Sequence, residues 1–400
     1  MNRSQFELAK PILERLIQHG YEAYFVGGSV RDFIMNRPIH DVDMTTNATP
    51  DEIETLFEHT IPIGKEHGTI NVVWNHENYE VTTFRAEAEY VDHRRPTEVY
   101  FVRDLYQDVE RRDFTMNAIA MDIHYQRIDH FEGERDIEQR MIRTVGDAKT
   151  RFDEDALRIL RGLRFKSQLG FTIEDATFEA MSHQMADLEY LSIERIMNEL
   201  RLLVNGAYIA ETLPLLHSLQ MWRYIPYFRD IDVETMVLNT PIDIESFLAI
   251  LSYRTDHQAF KPLKLSNVQV RTIQTLVSAI QSAQTIATRT QLQQFVYDFG
   301  IDVALKINAL RPVLEDNQIH IASPVILNGA IIQNVWSDLP IQSRQDLAID
   351  GQLLMQAFQL KGGPWIKEVL RRVECAVIQR QVNNQTEAII EWVRTHVKIS

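Results

Sequence analysis

A chain of 400 residues and 46.6 kDa is too long for one small core and points to two to four domains. With 45% apolar and 24% charged residues it has the composition of an ordinary soluble protein, and no apolar run approaches a membrane span. A net charge of −15 excludes a protein coated in basic surface, so a nucleic-acid partner would have to meet a local basic strip. The single cysteine, Cys375, excludes an internal disulfide framework and suits a reducing cytosol. The first residues, MNRSQFELAK, carry no signal-peptide core, and the expected location is cytoplasmic.

Residues 4–19 place Phe6, Leu8, Ile12, Leu13, Leu16 and Ile17 mostly at helical spacing, which predicts an amphipathic helix ended by Gly20. Residues 21–26 read as a strand running into the Gly27–Gly28 turn. The chain is organised around residues 27–46, GGSVRDFIMNRPIHDVDMTT. A Gly-Gly-Ser turn opens a short helix bearing Arg31 and Asp32, and its free backbone N–H groups suit an anion. Asp41 and Asp43, two residues apart on a predicted strand, project from one face. Two carboxylates side by side form an oxygen site for Mg²⁺, which usually also holds substrate phosphates. Alone, a DxD or a GG is an ordinary turn or strand edge; together, about a dozen residues apart, they predict nucleotidyl transfer.

Thr49 and Pro50 read as the cap and first position of a helix. Two β-rich runs come next, with a turn at residues 75–78, and Glu80 on the second is a candidate third carboxylate. Residues 86–98, AEAEYVDHRRPTE, lack periodicity and read as a loop of functional length. Residues 111–120, RRDFTMNAIA, form the second conspicuous string. Residues 152–165, FDEDALRILRGLRF, predict one helix on which Asp155, Arg158 and Arg161 share a face with Glu154. A carboxylate accepting from an exocyclic amino group, beside a guanidinium donating to a ring nitrogen, fits both cytosine and adenine and mismatches uracil and guanine. From about residue 171 onward the pattern is helical, with turns expected at Gly206, Pro214, Pro226, Pro241 and Pro262. Residues 361–400 carry seven Lys and Arg against four Glu and no Asp, a local charge of +3.

These strings together resemble the class II branch of the polymerase-beta nucleotidyltransferase superfamily, which holds CCA-adding enzymes and bacterial poly(A) polymerases. The resemblance implies an α+β fold: a polymerase-beta-like mixed-sheet head over 1–148, then a helical neck (149–220), body (221–310) and tail (311–400). It implies that Asp41 and Asp43 hold two Mg²⁺ ions, with Glu80 a further catalytic carboxylate. Gly28, Ser29 and Arg31 would hold the triphosphate, and Arg112 and Asp113 the ribose. Asp155 and Arg158 would read the base, with Arg161 and Arg164 supplying supporting contacts or neutralising the triphosphate. In the family's neck motif Glu194, Arg195 and Glu199 brace the reading helix, while Asp129, Gly133 and Arg143 connect head to neck without chemistry. The implied reaction adds C, C and A to the 3′ end of tRNA from CTP and ATP, with the tail meeting the tRNA. Residues 86–98 match the family loop that helps switch specificity from C to A, against a partial CC- or A-adding enzyme. Gly64 to Thr69, GKEHGT, stands where poly(A) polymerases carry a basic string. A nucleotide- or RNA-binding protein without catalysis is the alternative of another class, and a homodimer stays open.

Overall fold

The apolar face expected near the start folds as α1 (Arg3–Gln18): Phe6, Ile12, Leu13 and Leu16 are fully covered, whereas Leu8 and Ile17 face outward. Phe6 seats α1 on the sheet by packing 4.7 Å, ring to ring, from Phe25 of β1 (Ala23–Val26). The computed structural model describes residues 3–87, 90–91, 95–96 and 99–398. Two compact units result: Met1–Glu234 with Lys261–Lys264, and Thr235–Phe260 with Leu265–Ser400. No described helix is long and apolar enough to cross a membrane.

The first unit is built on a seven-stranded mixed sheet, and the α+β expectation holds. From its middle, β1 pairs antiparallel with β2 (Asp43–Thr46), which runs parallel to β5 (Glu77–Thr83). Beyond β5 come β4 (Thr69–Trp74) and β3 (Thr60–Ile61). Outside β1 lie β10 (Ile119–Met121) and β11 (Arg127–Asp129). Asn75 and His76, both at positive φ, make the two-residue turn between β4 and β5, tighter than the 75–78 turn expected. The helix α3 (Pro50–Leu56) begins as expected, with Thr49 and Glu52 forming a reciprocal capping box.

Four expectations are corrected. The strand after the Gly-Gly turn begins at Asp43, so Asp41 precedes it, although exposed Asp41 and Asp43 still flank buried Val42. The stretch read as a loop at 86–98 contains paired backbone: β6 (Arg85–Glu87) with β9 (Val99–Phe101), and β7 (Tyr90–Val91) with β8 (Arg95–Pro96). Residues 88–89, 92–94 and 97–98 of that stretch lie outside the described residues. The helix expected over 152–165 is two helices, α6 (Ala148–Glu154) and α7 (Leu157–Leu169). Asp155 makes the break because its own carboxylate accepts from Leu157 N, the local bond by which Asp ends one helix and opens another. Lastly, Pro214 is inside α10 (Ile209–Ser218), not at a turn. Packing of buried Ile209, Leu213 and Leu216 on the side facing α7 offsets the backbone bond the proline removes.

Around α7 the first unit also packs α9 (Ile193–Val204), with Ser192 at its N-cap position but without a side-chain cap bond. The expected connecting motif is tied into the fold by its own side chains. Asp129 accepts from the N–H groups of Phe131, Gly133 and Glu134, and Arg143 pairs with buried Asp136 at 2.9 Å. The elements described in the second unit are all helices. Part of its basic tail is engaged internally: Arg371 grips Asp298 through two bonds of 2.5 and 2.6 Å, and Arg372 pairs with Glu368.

Candidate active site

The site lies in the first unit, where the ends of β1, β2 and β5 meet α2 (Gly28–Ile34) and α7. At Gly27 the chain takes φ 71° and ψ −139°, a region closed to side chains, and a Cβ there would stand 3.1 Å from Arg112 and 3.4 Å from Asp43. The glycine therefore lets the turn lie directly against a cation and a carboxylate. The parallel register Met44↔Val81 sets Asp43 beside Glu80, one residue back on each strand. Met44 and Val81 are buried on the opposite face, so both carboxylates look outward together.

The Asp43 carboxyl is pushed above its usual range. Removal from water is the largest cause, Arg112 opposes it, and Glu80 and then Asp41 add to it. Asp43 keeps accessible surface, so this is the desolvation of a cleft wall and not of a core. Mutual repulsion among three acids is what a cation would relieve, and paired carboxylate oxygens are the donor set Mg²⁺ takes. Among the described residues no three acidic, histidine or cysteine side chains are gathered closely enough to hold an ion unaided. The chain thus offers carboxylates from one side only, which fits a metal that completes its shell with water and substrate phosphate.

A cleft of about 680 Å³ opens in front of Asp43 and Glu80. Eight arginines line it, residues 31, 85, 111, 112, 158, 161, 164 and 195, against the four acids Asp43, Glu80, Asp113 and Asp155. This is the local basic strip that a chain of net charge −15 needs in order to meet polyanions.

A network of buried polar side chains fixes these arginines. Arg31, 8% exposed, donates to Asn117 Oδ1 at 2.8 Å and to its neighbour Asp32. Asn117 donates in turn to Asp113 Oδ1 at 3.1 Å, which also accepts from Phe114 N, while Asp113 Oδ2 accepts from Arg161 Nε at 2.6 Å. Burial would raise the Asp113 pKa, but Arg161 and these hydrogen bonds outweigh it and hold it at about 2. Both oxygens of Asp113 are thus engaged within the protein. Arg164 pairs with Glu199 at 2.8 Å. Burial, opposed by Glu199 and assisted by Arg161, lowers the Arg164 pKa to about 10. The guanidiniums of Arg164, Arg31 and Arg161 stand 4.2, 5.1 and 5.6 Å from the centroid of one ring, Phe165.

At the far end of the cleft, Asp155 Oδ2 accepts from Arg195 at 2.6 Å. Arg158 is buried and donates to Glu154 and to the carbonyls of Arg151 and Arg111. Glu199 lies 4.0 Å from Arg161 and 2.8 Å from Arg164, as Arg195 holds Asp155, whereas Glu194 pairs with Lys264 on the surface. Ser29 is buried with its hydroxyl on Val26 O, leaving only its backbone for a ligand.

Three contributors were not singled out from sequence. Asn117 and Phe165 sit inside recognised strings, and nothing in the spacing marks them. Asp108 is fully buried and pairs with Arg111 at 2.9 Å and Arg112 at 3.5 Å. Its i,i+3 and i,i+4 spacing to that arginine pair was the available signal.

Carboxylates at the head of a strand, facing an arginine-lined cleft beside a Gly-Gly turn, define a nucleotidyltransferase. Residues 23–143 match the family described as "Poly A polymerase head domain" and residues 243–393 that of tRNA nucleotidyltransferase domain 2. Residues 170–231 match "Probable RNA and SrmB- binding site of polymerase A". The CCA-adding enzyme of Staphylococcus haemolyticus is 53% identical over 400 residues, all of both chains, and that of Staphylococcus aureus strain Mu3 is 52% identical over the same span. The crystal structure of the Bacillus stearothermophilus CCA-adding enzyme in complex with CTP is 34% identical and superposes with a TM-score of 0.84, covering 98% of this chain and 97% of that one. The chain belongs to the CCA-adding enzymes.

Proposed function

We propose that this chain adds C, C and A to the 3′ end of tRNA from CTP and ATP, and that the residues of the arginine-lined cleft divide the work among them. The observation carrying the assignment is the register that sets Asp43 beside Glu80 at the mouth of that cleft. The backbone N–H groups of Gly28 and Ser29, with Arg31 and Arg164, receive the triphosphate as charge-assisted donors. Arg112 faces the ribose, and Asp113 holds Arg161 and Asn117 in place behind it. Asp155 accepts from the amino group of cytosine or adenine while Arg158 donates to the ring nitrogen. Arg195 and Glu154 keep those two side chains from rotating, so the same pair reads both bases without a template. Asp41 and Asp43, with Glu80 adjoining, would hold two Mg²⁺ ions, and that group would supply acidification of the attacking hydroxyl and charge neutralisation at the leaving group.

The 3′-oxygen of the RNA bonds to the α-phosphorus as the bond to the β-phosphate oxygen breaks. Pyrophosphate takes that electron pair, and the hydroxyl proton passes to water. Positioning and charge stabilisation do most of the work. We further assign the reaction to a cytoplasmic enzyme with head, neck, body and tail divided near residues 148, 220 and 310, the tail contacting tRNA.

The test is to incubate the protein with Mg²⁺ and a tRNA transcript lacking its 3′ end, offering CTP and ATP separately and together. The expected products are two added residues with CTP alone and three with both. A long ATP-derived tail would make it a poly(A) polymerase, and addition of C only, or of A only, a partial enzyme.

A further inference from the structure

Beneath the arginine-lined cleft lies a carboxylate that no step of the reaction uses. Asp108 of α4 (Leu105–Glu110) is fully buried, yet five donor atoms converge on it. Its Oδ1 accepts from Arg111 Nη2 at 2.9 Å, from Arg111 Nε at 3.2 Å and from the backbone N–H of Arg85 at 3.3 Å. Its Oδ2 accepts from Thr45 Oγ1 at 3.2 Å and from Arg112 Nη2 at 3.5 Å. Burial would raise the Asp108 pKa, but Arg111, then Arg112, and the bonds from Arg111 and Arg85 outweigh it and bring it below its ordinary value.

The partners come from the parts of the site that have to keep register. Thr45 is two residues beyond Asp43 on β2, so hydroxyl and carboxylate project from one face of one strand. Arg85 opens β6 directly after β5, the strand of Glu80. Arg111 and Arg112 both line the cleft, but they are held differently. Arg111 is gripped through two nitrogens by one oxygen. Arg112 has only its 3.5 Å approach to Asp108 and an equally long bond from Nη1 to Asn117 O, and its Nε has no partner among the described residues. An arginine held in this way is aimed but not saturated, with donors left for a ligand.

We propose that Asp108 is a positioning residue for sugar selection: it holds Arg112 in register with the strand of Asp43, and so fixes the guanidinium that meets the 2′-hydroxyl of the incoming nucleotide. The inference rests on the function proposed above, in which Arg112 faces the ribose, and adds what keeps it there. The 2′-hydroxyl is the group that separates a ribonucleotide from a deoxyribonucleotide, and reading it takes a donor whose place is set by its surroundings. A long side chain with two bonds of 3.5 Å does not set its own place. The acid beneath it does, for two reasons. Its attraction for the guanidinium acts away from water, where charges interact more strongly. It is also tied to β2 through Thr45 and to β6 through Arg85, so the arginine inherits the position of the sheet. Without that anchor the guanidinium is free to swing toward Asp43, whose charge it already feels.

The experiment compares kcat/KM for CTP and for 2′-deoxy-CTP on a tRNA transcript lacking its 3′ end, in the wild type, Asp108→Asn, Arg112→Ala and the double variant, with thermal melting alongside. The readout is the ratio of the two values. Partial unfolding lowers both alike and leaves the ratio where it was, so a merely structural role does not move it. The ratio is expected to fall roughly tenfold in Arg112→Ala, as for loss of one hydrogen bond to substrate, and about three- to tenfold in Asp108→Asn. In the double variant it is expected to fall no further than in Arg112→Ala, because the acid acts through the arginine. Thr45→Val, isosteric and lacking one bond to Asp108, is expected to shift the ratio the same way by a smaller factor, and takes the place of Asp108→Asn if that variant does not fold. An unchanged ratio in the Asp108 or Thr45 variant, with Arg112→Ala lowering it, would overturn the proposal. So would losses that multiply independently in the double variant. An unchanged ratio in Arg112→Ala would remove the assignment of that residue to the ribose and this proposal with it. A wild type that incorporates no nucleotide would overturn the parent function as a whole, and the wild-type control tells that case apart.

Discussion

Replacing Asp113 with Asn tests the buried network behind the nucleotide cleft. The carboxylate is 7% exposed and accepts from Phe114 N, Asn117 Nδ2 and Arg161 Nε. Its pKa of about 2, against 3.8 ordinarily, exists because Arg161 and those donors outweigh the effect of burial. A difference of that size is about 2–3 kcal/mol of stability at neutral pH. Asn keeps the two bonds on Oδ1 but turns an N–H toward Arg161, a donor–donor contact costing a further ~1–3 kcal/mol. The loss should be about 3–6 kcal/mol, or roughly 10 °C in the melting of the first unit. Differential scanning calorimetry from pH 7 to pH 3 reads it. The folded pKa is depressed, so the contribution is complete above 3.8 and is lost as pH falls toward about 2. The gap between wild type and variant should therefore narrow below about pH 4. Equal melting temperatures at pH 7, or a gap that does not change with pH, would refute the reasoning.

Other consequences can be checked with single substitutions. Asp43→Asn should lower kcat by about a thousandfold or more while CTP still binds, as read by extension assays and equilibrium dialysis. Because the Asp43 pKa is raised, its charged form is disfavoured by folding, so the same variant should melt no lower than wild type at pH 7 and be relatively more stable as pH rises through the carboxylate range. Arg164→Ala should raise KM for CTP and ATP alike, about 10- to 100-fold, since it removes a triphosphate donor and not a base contact; an effect on one nucleotide only would contradict that role. Gly133→Ala drives a Cβ into the backbone carbonyl of Thr115, which cannot swing aside, and should lower the melting temperature by several degrees, about 1–3 kcal/mol, without altering either KM.

What could be read from the sequence was whatever repeats with a structural period or sits in a dense motif. The Gly-Gly turn, the alternation around Val42 and the capping box at Thr49 are local patterns, and each stands in the structure. Glu80 was legible only as a candidate, because pairing between β2 and β5 joins residues 37 positions apart and no spacing rule reports it. The break at Asp155 was hidden by the amphipathic run continuing across it; helical period and helix-breaking side chain gave opposite instructions, and the side chain won locally. The pairing of β6 with β9 joins a polar strand, Arg85–Glu87, to the three apolar residues Val99–Phe101 past the far end of the polar stretch, and runs this short show no period. Asn117 was invisible for another reason: its use depends on Arg31, 86 residues away, and a lone Asn in a motif says nothing of which two partners it joins.

Three guanidiniums around Phe165 raise the question of how like charges are kept together without being used up. Each already has an acid partner within the protein, Asp32, Asp113 or Glu199, and any further carboxylate would compete with an incoming anion. The face of a benzene ring is a weaker and fixed partner. It draws cations by its quadrupole, carries no net charge, and does not need to be displaced when a stronger anion arrives. Phe165 thus adds a neutral partner to three guanidiniums without adding a further negative charge.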